Sequence, residues 1–270
     1  MSSLKVPTFV IVTGAGRGIG REITIQLARK VDPGSYIYLI DVQQDGIEDT
    51  ARVIKQDVND DKLKVRRLVA DLSDDKSVTE LNSFIFKDDL NASMFSHVIL
   101  VHNAGALGFI EKHARELNNV EAIQKYFLLN LTSAILLTSG FLRHFHNKCD
   151  ARKTVVQITS QAATSPIQSL HLYGTMKAGR DMFFRVMALE EPDVKFLSFN
   201  PGSVDTKMHR DAHGSHCAMF RTILEKVKKH PCFLTPEQAA SALIKTIEED
   251  KYESAVTVQS YDVLGMKVDL

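Results

Sequence analysis

The sequence predicts a doubly wound α/β protein, a mostly parallel sheet with helices on both faces, in one domain over residues 1–270. Three observations carry that expectation. Short β-branched apolar runs alternate with stretches of helical periodicity along nearly the whole chain. The runs are apolar throughout instead of alternating with polar residues, as strands covered on both faces are. A glycine-rich turn joins the first run to the first helix.

Taken in order, Thr8-Phe9-Val10-Ile11-Val12 reads as a strand, and after the turn Ile23, Leu27 and Val31 share one helical face. Asp32-Pro33-Gly34 stops that helix, and Tyr36 to Ile40 forms a second buried strand ending at Asp41. A polar helix over 44–57, a strand from Val65 to Ala70, a helix over 75–87 and a strand from His97 to Val101 follow. A long helix through Asn130 and Phe141 leads to the strand Thr154 to Ile158. The next helix, Leu172 to Glu190, is closed by Pro192 before the strand Val194 to Phe199. Segment 207–235, rich in His, Gly and Lys, breaks the rhythm and reads as a solvated, mobile flap; a helix over 236–249 and a strand from Ala255 to Val258 complete the pattern. Crossovers between parallel strands close right-handed.

With 44% hydrophobic and 24% charged residues the composition is globular, which excludes disordered and collagenous chains. Lys+Arg 33 balances Asp+Glu 33, so no net field favours nucleic acid or an anionic membrane. Cys149, Cys217 and Cys232 show neither a disulfide framework nor a zinc-ribbon spacing, which fits a reducing, cytoplasmic setting. No leader and no uninterrupted 18-residue apolar span is visible. Lys267-Val268-Asp269-Leu270 only echoes a retention signal.

The turn Thr13-Gly14-Ala15-Gly16-Arg17-Gly18-Ile19-Gly20 places backbone N–H groups and a helix N-terminus where a pyrophosphate can sit close. Tyr173 and Lys177, four apart on one helix, share a face, so an ammonium can favour the phenolate. Together with Asn103-Ala104-Gly105 after the fourth strand and Ser160 thirteen residues before Tyr173, this pattern resembles the short-chain dehydrogenase/reductase family. The resemblance implies a Rossmann-like fold and an NAD(P)-dependent oxidoreductase. It makes Tyr173 the proton donor, Ser160 the carbonyl-orienting hydroxyl, Lys177 the activator and Asn130 the holder of a relay water. It assigns the dinucleotide to Gly14, Gly16, Arg17, Gly18, Ile19, Gly20, Asp41, Asp71, Leu72, Asn103, Ala104, Gly105, Tyr173 and Lys177, and to Pro201, Gly202, Val204 and Thr206 over the nicotinamide. Asn130-Leu131-Thr132 also reads as a glycosylation sequon, which its apolar helix argues against.

Within that family, Asn103 to Gly108, Asn130 to Ser133, Ala188 to Pro192 and Tyr261-Asp262 are similar to the sepiapterin reductases, with matching spacing from about Val10 to Asp262. That likeness implies NADPH-dependent reduction of pterin side-chain ketones in tetrahydrobiopterin synthesis, a cytosolic homodimer, and a pterin held by Ser160, Tyr173 and Asp262. Two departures bear on it. Asp41 is a residue type that binds the 2′-hydroxyl of NAD(H), whereas Arg17 is placed to pair with the 2′-phosphate of NADP(H); the expectation is NADP(H), with NAD(H) the alternative. His102 stands where that group has asparagine. His209, His213, His216 and Cys217 have metal-compatible spacing, yet no metal site is expected in a flap. A general carbonyl reductase or hydroxysteroid-type dehydrogenase and a non-catalytic dinucleotide sensor remain alternatives.

Overall fold

The computed structural model describes residues 4–58, 63–87, 91–146 and 150–267; Cys149 and the terminal 268–270 lie outside them. The chain runs β1 (Thr8–Thr13), α1 (Gly18–Ala28), β2 (Tyr36–Asp41), α2 (Gln44–Asp57), β3 (Lys64–Val69), α3 (Asp75–Ile85) and β4 (His97–His102). It continues through α4 (Val120–Phe127), a π-helical turn (Leu128–Thr132), α5 (Ser133–Phe145), β5 (Arg152–Ile158), α6 (His171–Glu190) and β6 (Val194–Asn200). The last elements are α7 (Lys207–Ala212), α8 (Ala218–Lys228), α9 (Pro236–Glu249), β7 (Thr257–Gln259) and α10 (Ser260–Val263).

All seven strands pair in parallel, in the order β3-β2-β1-β4-β5-β6-β7. Alternate residues of each strand serve opposite faces. Val10 and Val12 join Leu27, Leu39, Leu243 and Ile247 on the α1/α9 side, while Phe9 and Ile11 join Ile40, Leu81, Phe141 and Phe184 on the α3/α5/α6 side. Each fully buried aliphatic or aromatic side chain contributes roughly 1.5–3 kcal/mol. The expectation of cover on both faces fails at β3, an edge strand whose Lys64, Arg66, Arg67 and Val69 are exposed; charged side chains there protect the open edge from pairing.

The continuous helical run Val120–Phe145 is long and apolar enough to cross a membrane by length and composition. Its apolarity is accounted for by packing, since Leu137, Phe141 and Phe145 are fully buried against the sheet. The flap is more structured than its composition implied. It forms α7 and α8, whose Ala212, Phe220 and Leu224 are buried in one cluster with Tyr173, Met176, Tyr126 and Ile110. Apolar residues at helical spacing within a polar segment are the signal that a composition reading passes over.

Candidate active site

The strand order reverses between β1 and β4, so the crevice of the sheet opens at their carboxyl ends. Thr13 and His102 are level in that pair, which sets the glycine turn beside Asn103-Ala104-Gly105. Thr13 Oγ1 accepts from the N–H groups of Asn103 (3.1 Å) and Ala104 (3.2 Å) and donates to Val101 O. Asn103 Nδ2 donates to the carbonyls of Thr13 and Gly14, both at 3.1 Å. Gly14 and Gly18 have φ of +69° and +55°, and a Cβ on Gly20 would lie 2.1 Å from Gly14 O. Only glycine fits that turn.

No side chain caps the N-terminus of α1 and no acid lies in its first turn, so its amides and positive dipole end are left for an anion. These residues fit a dinucleotide diphosphate. Asp41 is held beneath the turn, Oδ2 accepting from Gly16 N (2.9 Å) and Oδ1 from Gln43 N (3.1 Å). Arg17 is exposed, with Nη1 donating to Gln43 Oε1 at 3.3 Å. Across the crevice, Thr206 caps α7 and lies 3.5 Å from where a Cβ of Gly18 would stand, so the loop through Pro201, Gly202 and Val204 faces the glycine turn. Gly202 (φ +71°) is pressed against Tyr261, whose hydroxyl accepts from Ser203 N at 2.7 Å.

Ser160 follows β5 and caps a short turn, its Oγ accepting from Ala162 N at 3.2 Å. The Ser160 side chain also interacts with the Tyr173 phenol, favouring its ionised form. Tyr173 is 8% exposed, and burial raises its pKa, opposed by the Ser160 side chain and the charge of Arg180. Lys177 Nζ lies 5.4 Å from the Tyr173 ring centroid and donates to Ile158 O. Burial, then Arg180, holds its ammonium well below the usual lysine range. Lys177 thus shares the face of Tyr173 as its spacing implies, with its ammonium also tied to the end of β5.

Asn130 is fully buried in the π-helical turn, Oδ1 accepting from Ala106 N and Nδ2 donating to Tyr126 O, both at 2.9 Å. Tyr126, one turn earlier, donates its hydroxyl to Ala106 O at 3.1 Å. The sequence reading missed Tyr126, although its i,i+4 relation to Asn130 was available.

Three further expected residues are placed as follows. Asp71 is exposed and its Oδ1 accepts from the Ser73 N–H (2.8 Å) and hydroxyl (2.7 Å), an Asx turn before α3. Leu72 is buried in the core, which leaves its main chain for any ligand contact. Asp262 is exposed and lines a surface depression with Lys245, Thr246, Glu249 and Tyr252, a set that holds none of Ser160, Tyr173 and Lys177. Asp262 stands beside α9 at that depression, while its neighbour Tyr261 accepts from Ser203 N on the loop that faces the glycine turn.

His209 packs its ring against His213 and Phe233, while His213, His216 and Cys217 have separate polar partners. His213 Nδ1 is 3.5 Å from Glu225, His216 Nδ1 is 3.0 Å from Ile110 O, and Cys217 Sγ is 2.9 Å from Gln168 Oε1. Among the described residues no three His, Cys, Asp or Glu side chains are arranged to hold a metal.

A family model of the short chain dehydrogenases matches residues 8–215, and the chain belongs to that family. It is an oxidoreductase of the NAD(P)-binding type. The chain is similar to the sepiapterin reductase of Rattus norvegicus, 33% identical over 256 residues that cover 94% of this chain and 96% of that protein. It is 29% identical to a benzil reductase ((S)-benzoin forming) of Bacillus subtilis, over 88% of this chain and 93% of that one. The crystal structure of a putative NAD(P)-dependent gluconate 5-dehydrogenase from Beutenbergia cavernae, with bound NADP, shares the fold at a TM-score of 0.77 and 20% identity, covering 96% of each chain.

Proposed function

We propose that the protein reduces ketones with NADPH, and that its substrates are pterin side-chain carbonyls of the sepiapterin type, as in tetrahydrobiopterin synthesis. The reading is carried by the meeting of Ser160, Tyr173 and Lys177 at the carboxyl end of the sheet beside the glycine turn. Likeness to sepiapterin reductases over nearly the whole length supports the pterin. The dinucleotide, when bound, supplies the hydride that reduces the carbonyl carbon. Ser160 donates a hydrogen bond that orients the carbonyl oxygen, and Tyr173 transfers its proton to that oxygen as the alcohol forms. Asn130 holds the Ala106 turn, and Lys177 lies 5.4 Å from the centre of the Tyr173 ring, where its cation can favour the phenolate.

Exposed Arg17 supports NADP(H), and Asp41 keeps NAD(H) as the alternative. Exposed Met182, Val186 and Leu189 form a stripe on α6, which supports burial against a second copy in a homodimer; unpaired Cys217 and Cys232 support a cytoplasmic setting. Likeness to benzil reductases favours one second reading, a broader carbonyl reductase. Steady-state kcat/KM for sepiapterin, benzil and a steroid ketone, each with NADPH and NADH, tests the proposal. Sepiapterin with NADPH is expected to lead; equal or higher values for the others replace the pterin reading with the broader one, and no turnover of any leaves a dinucleotide sensor.

A further inference from the structure

Arg180 is 2% exposed, and no step described above uses it. It follows Tyr173 by two helical turns and Lys177 by one, on the same face of α6. Its Nη2 donates to His102 O at 3.1 Å and its Nη1 to Asn130 O at 3.4 Å, while Nε has no hydrogen-bond partner among the described residues. An unpaired buried donor alone costs about 1–3 kcal/mol, and burying the charge costs more. What this guanidinium holds accounts for its place. His102 immediately precedes the Asn103-Ala104-Gly105 turn, and Asn130 fixes Ala106 through its side chain. One planar fork thus ties the helix of Tyr173 to both segments that frame the crevice, a geometry that lysine cannot reproduce.

We propose that Arg180 is a positioning residue for proton transfer: its fork sets Asn130 and the Asn103 turn against Tyr173, and its guanidinium is a fixed positive charge behind the Tyr173–Lys177 pair. The proposal rests on the reading of Tyr173 as proton donor. The titratable groups facing Arg180 are Tyr173, Lys177 and Asp181 of α6 and His102 of β4. Burial brings Arg180 itself down to about 10, so it stays charged at neutral pH. His102 is held neutral by burial and by Arg180, and it pairs with Thr138 Oγ1 at 2.8 Å. Asp181 is occupied by Gln157, Thr159 and Ser198. The charge of Arg180 therefore acts on the phenol and the amine, lowering both. Proton loss from Tyr173 leaves a phenolate, which a fixed cation stabilises without reorganising.

The test compares R180Q, neutral with one amide donor, and R180K, charged without the fork, alongside Y173F. The tyrosinate absorbance of dinucleotide-free protein is titrated against pH, the difference between parent and Y173F isolating Tyr173. The pH dependence of kcat for benzil reduction with NADPH is measured in parallel. Removing the charge raises the Tyr173 pKa, so the acid form persists to higher pH. R180Q is expected to move both the titration and the alkaline limb of kcat upward by about one unit, and to lower kcat at neutral pH by about tenfold with KM little changed. R180K is expected to leave the limb in place and lose kcat several-fold. An unmoved titration and limb in R180Q overturn the charge role, and parental kcat in R180K overturns the fork. If R180Q does not fold, R180M, neutral and of similar length, is judged by the charge criterion and R180K by the fork criterion. Y173F retaining more than about a tenth of kcat would overturn Tyr173 as donor, an outcome separate from either result at Arg180.

Discussion

The glycine turn and the flap both border the crevice, yet they are held in place by different physics. At the turn, backbone sterics decide: positive φ at Gly14 and Gly18 and the 2.1 Å approach at Gly20 leave no room for another residue type. At the flap, scattered side chains decide. His216 bonds Ile110 O and Ser169 Oγ through Nδ1, Ser215 bonds Ser169, and Phe220 and Leu224 pack into the cluster of Tyr173. Because Ile110 O can only accept, Nδ1 carries the proton. A site with one wall set by local sterics and the other by non-local side-chain contacts can vary its substrate without disturbing its dinucleotide.

Four substitutions sharpen or break this contrast. Gly20→Ala has the largest expected effect, a loss of dinucleotide affinity of about a hundredfold or more, because the added methyl drives Asn103 Nδ2 and Gly14 O apart. Fluorescence titration with NADPH measures it; near-parental affinity would show that the turn is held by its surroundings. Asp41→Ala comes next. A carboxylate about 5 Å from a 2′-phosphate costs up to roughly 3 kcal/mol per charge at an effective dielectric of 20. Loss of the bonds to Gly16 and Gln43 offsets part of the gain, so the ratio of kcat/KM for NADPH over NADH is expected to rise by about tenfold. An unchanged ratio would remove Asp41 from cofactor choice.

His216→Ala removes two of the flap's side-chain bonds, each worth about 0.5–1.5 kcal/mol. KM for sepiapterin should rise about fivefold with the NADPH Kd within twofold; parallel losses in both would mean that the two walls are coupled. Asp262→Asn is the smallest, with KM for sepiapterin expected to stay within about twofold, because an exposed charge contributes little where it now stands. A tenfold rise would show that the C-terminal turn folds onto the pterin when it binds.

Periodicity and turn chemistry made most elements legible, with α2 and α9 matching the expected 44–57 and 236–249. The start of α9 is marked by a Thr235/Gln238 capping box and Pro236. Strand ends were less legible: β7 is Thr257–Gln259 where Ala255 to Val258 was expected, because Ala255 takes φ +66° and its N–H bonds Phe196 O outside the ladder. The π-helical turn was read as plain helix, since nothing in Leu128 to Thr132 distinguishes an i→i+5 bond from i→i+4.

The sequence by itself determined the alternation that gives a parallel sheet, the glycine turn, and the shared face of Tyr173 and Lys177, because each rests on local sterics or on helical spacing; Ser160 was legible only through the family resemblance. Only the tertiary structure decided that Lys177 is tied to Ile158, that Arg180 bridges His102 and Asn130, and that Asp262 faces α9. Those outcomes depend on which buried polar group reaches which carbonyl across tens of residues. Spacing along one chain carries no information about that pairing until the core has closed around it.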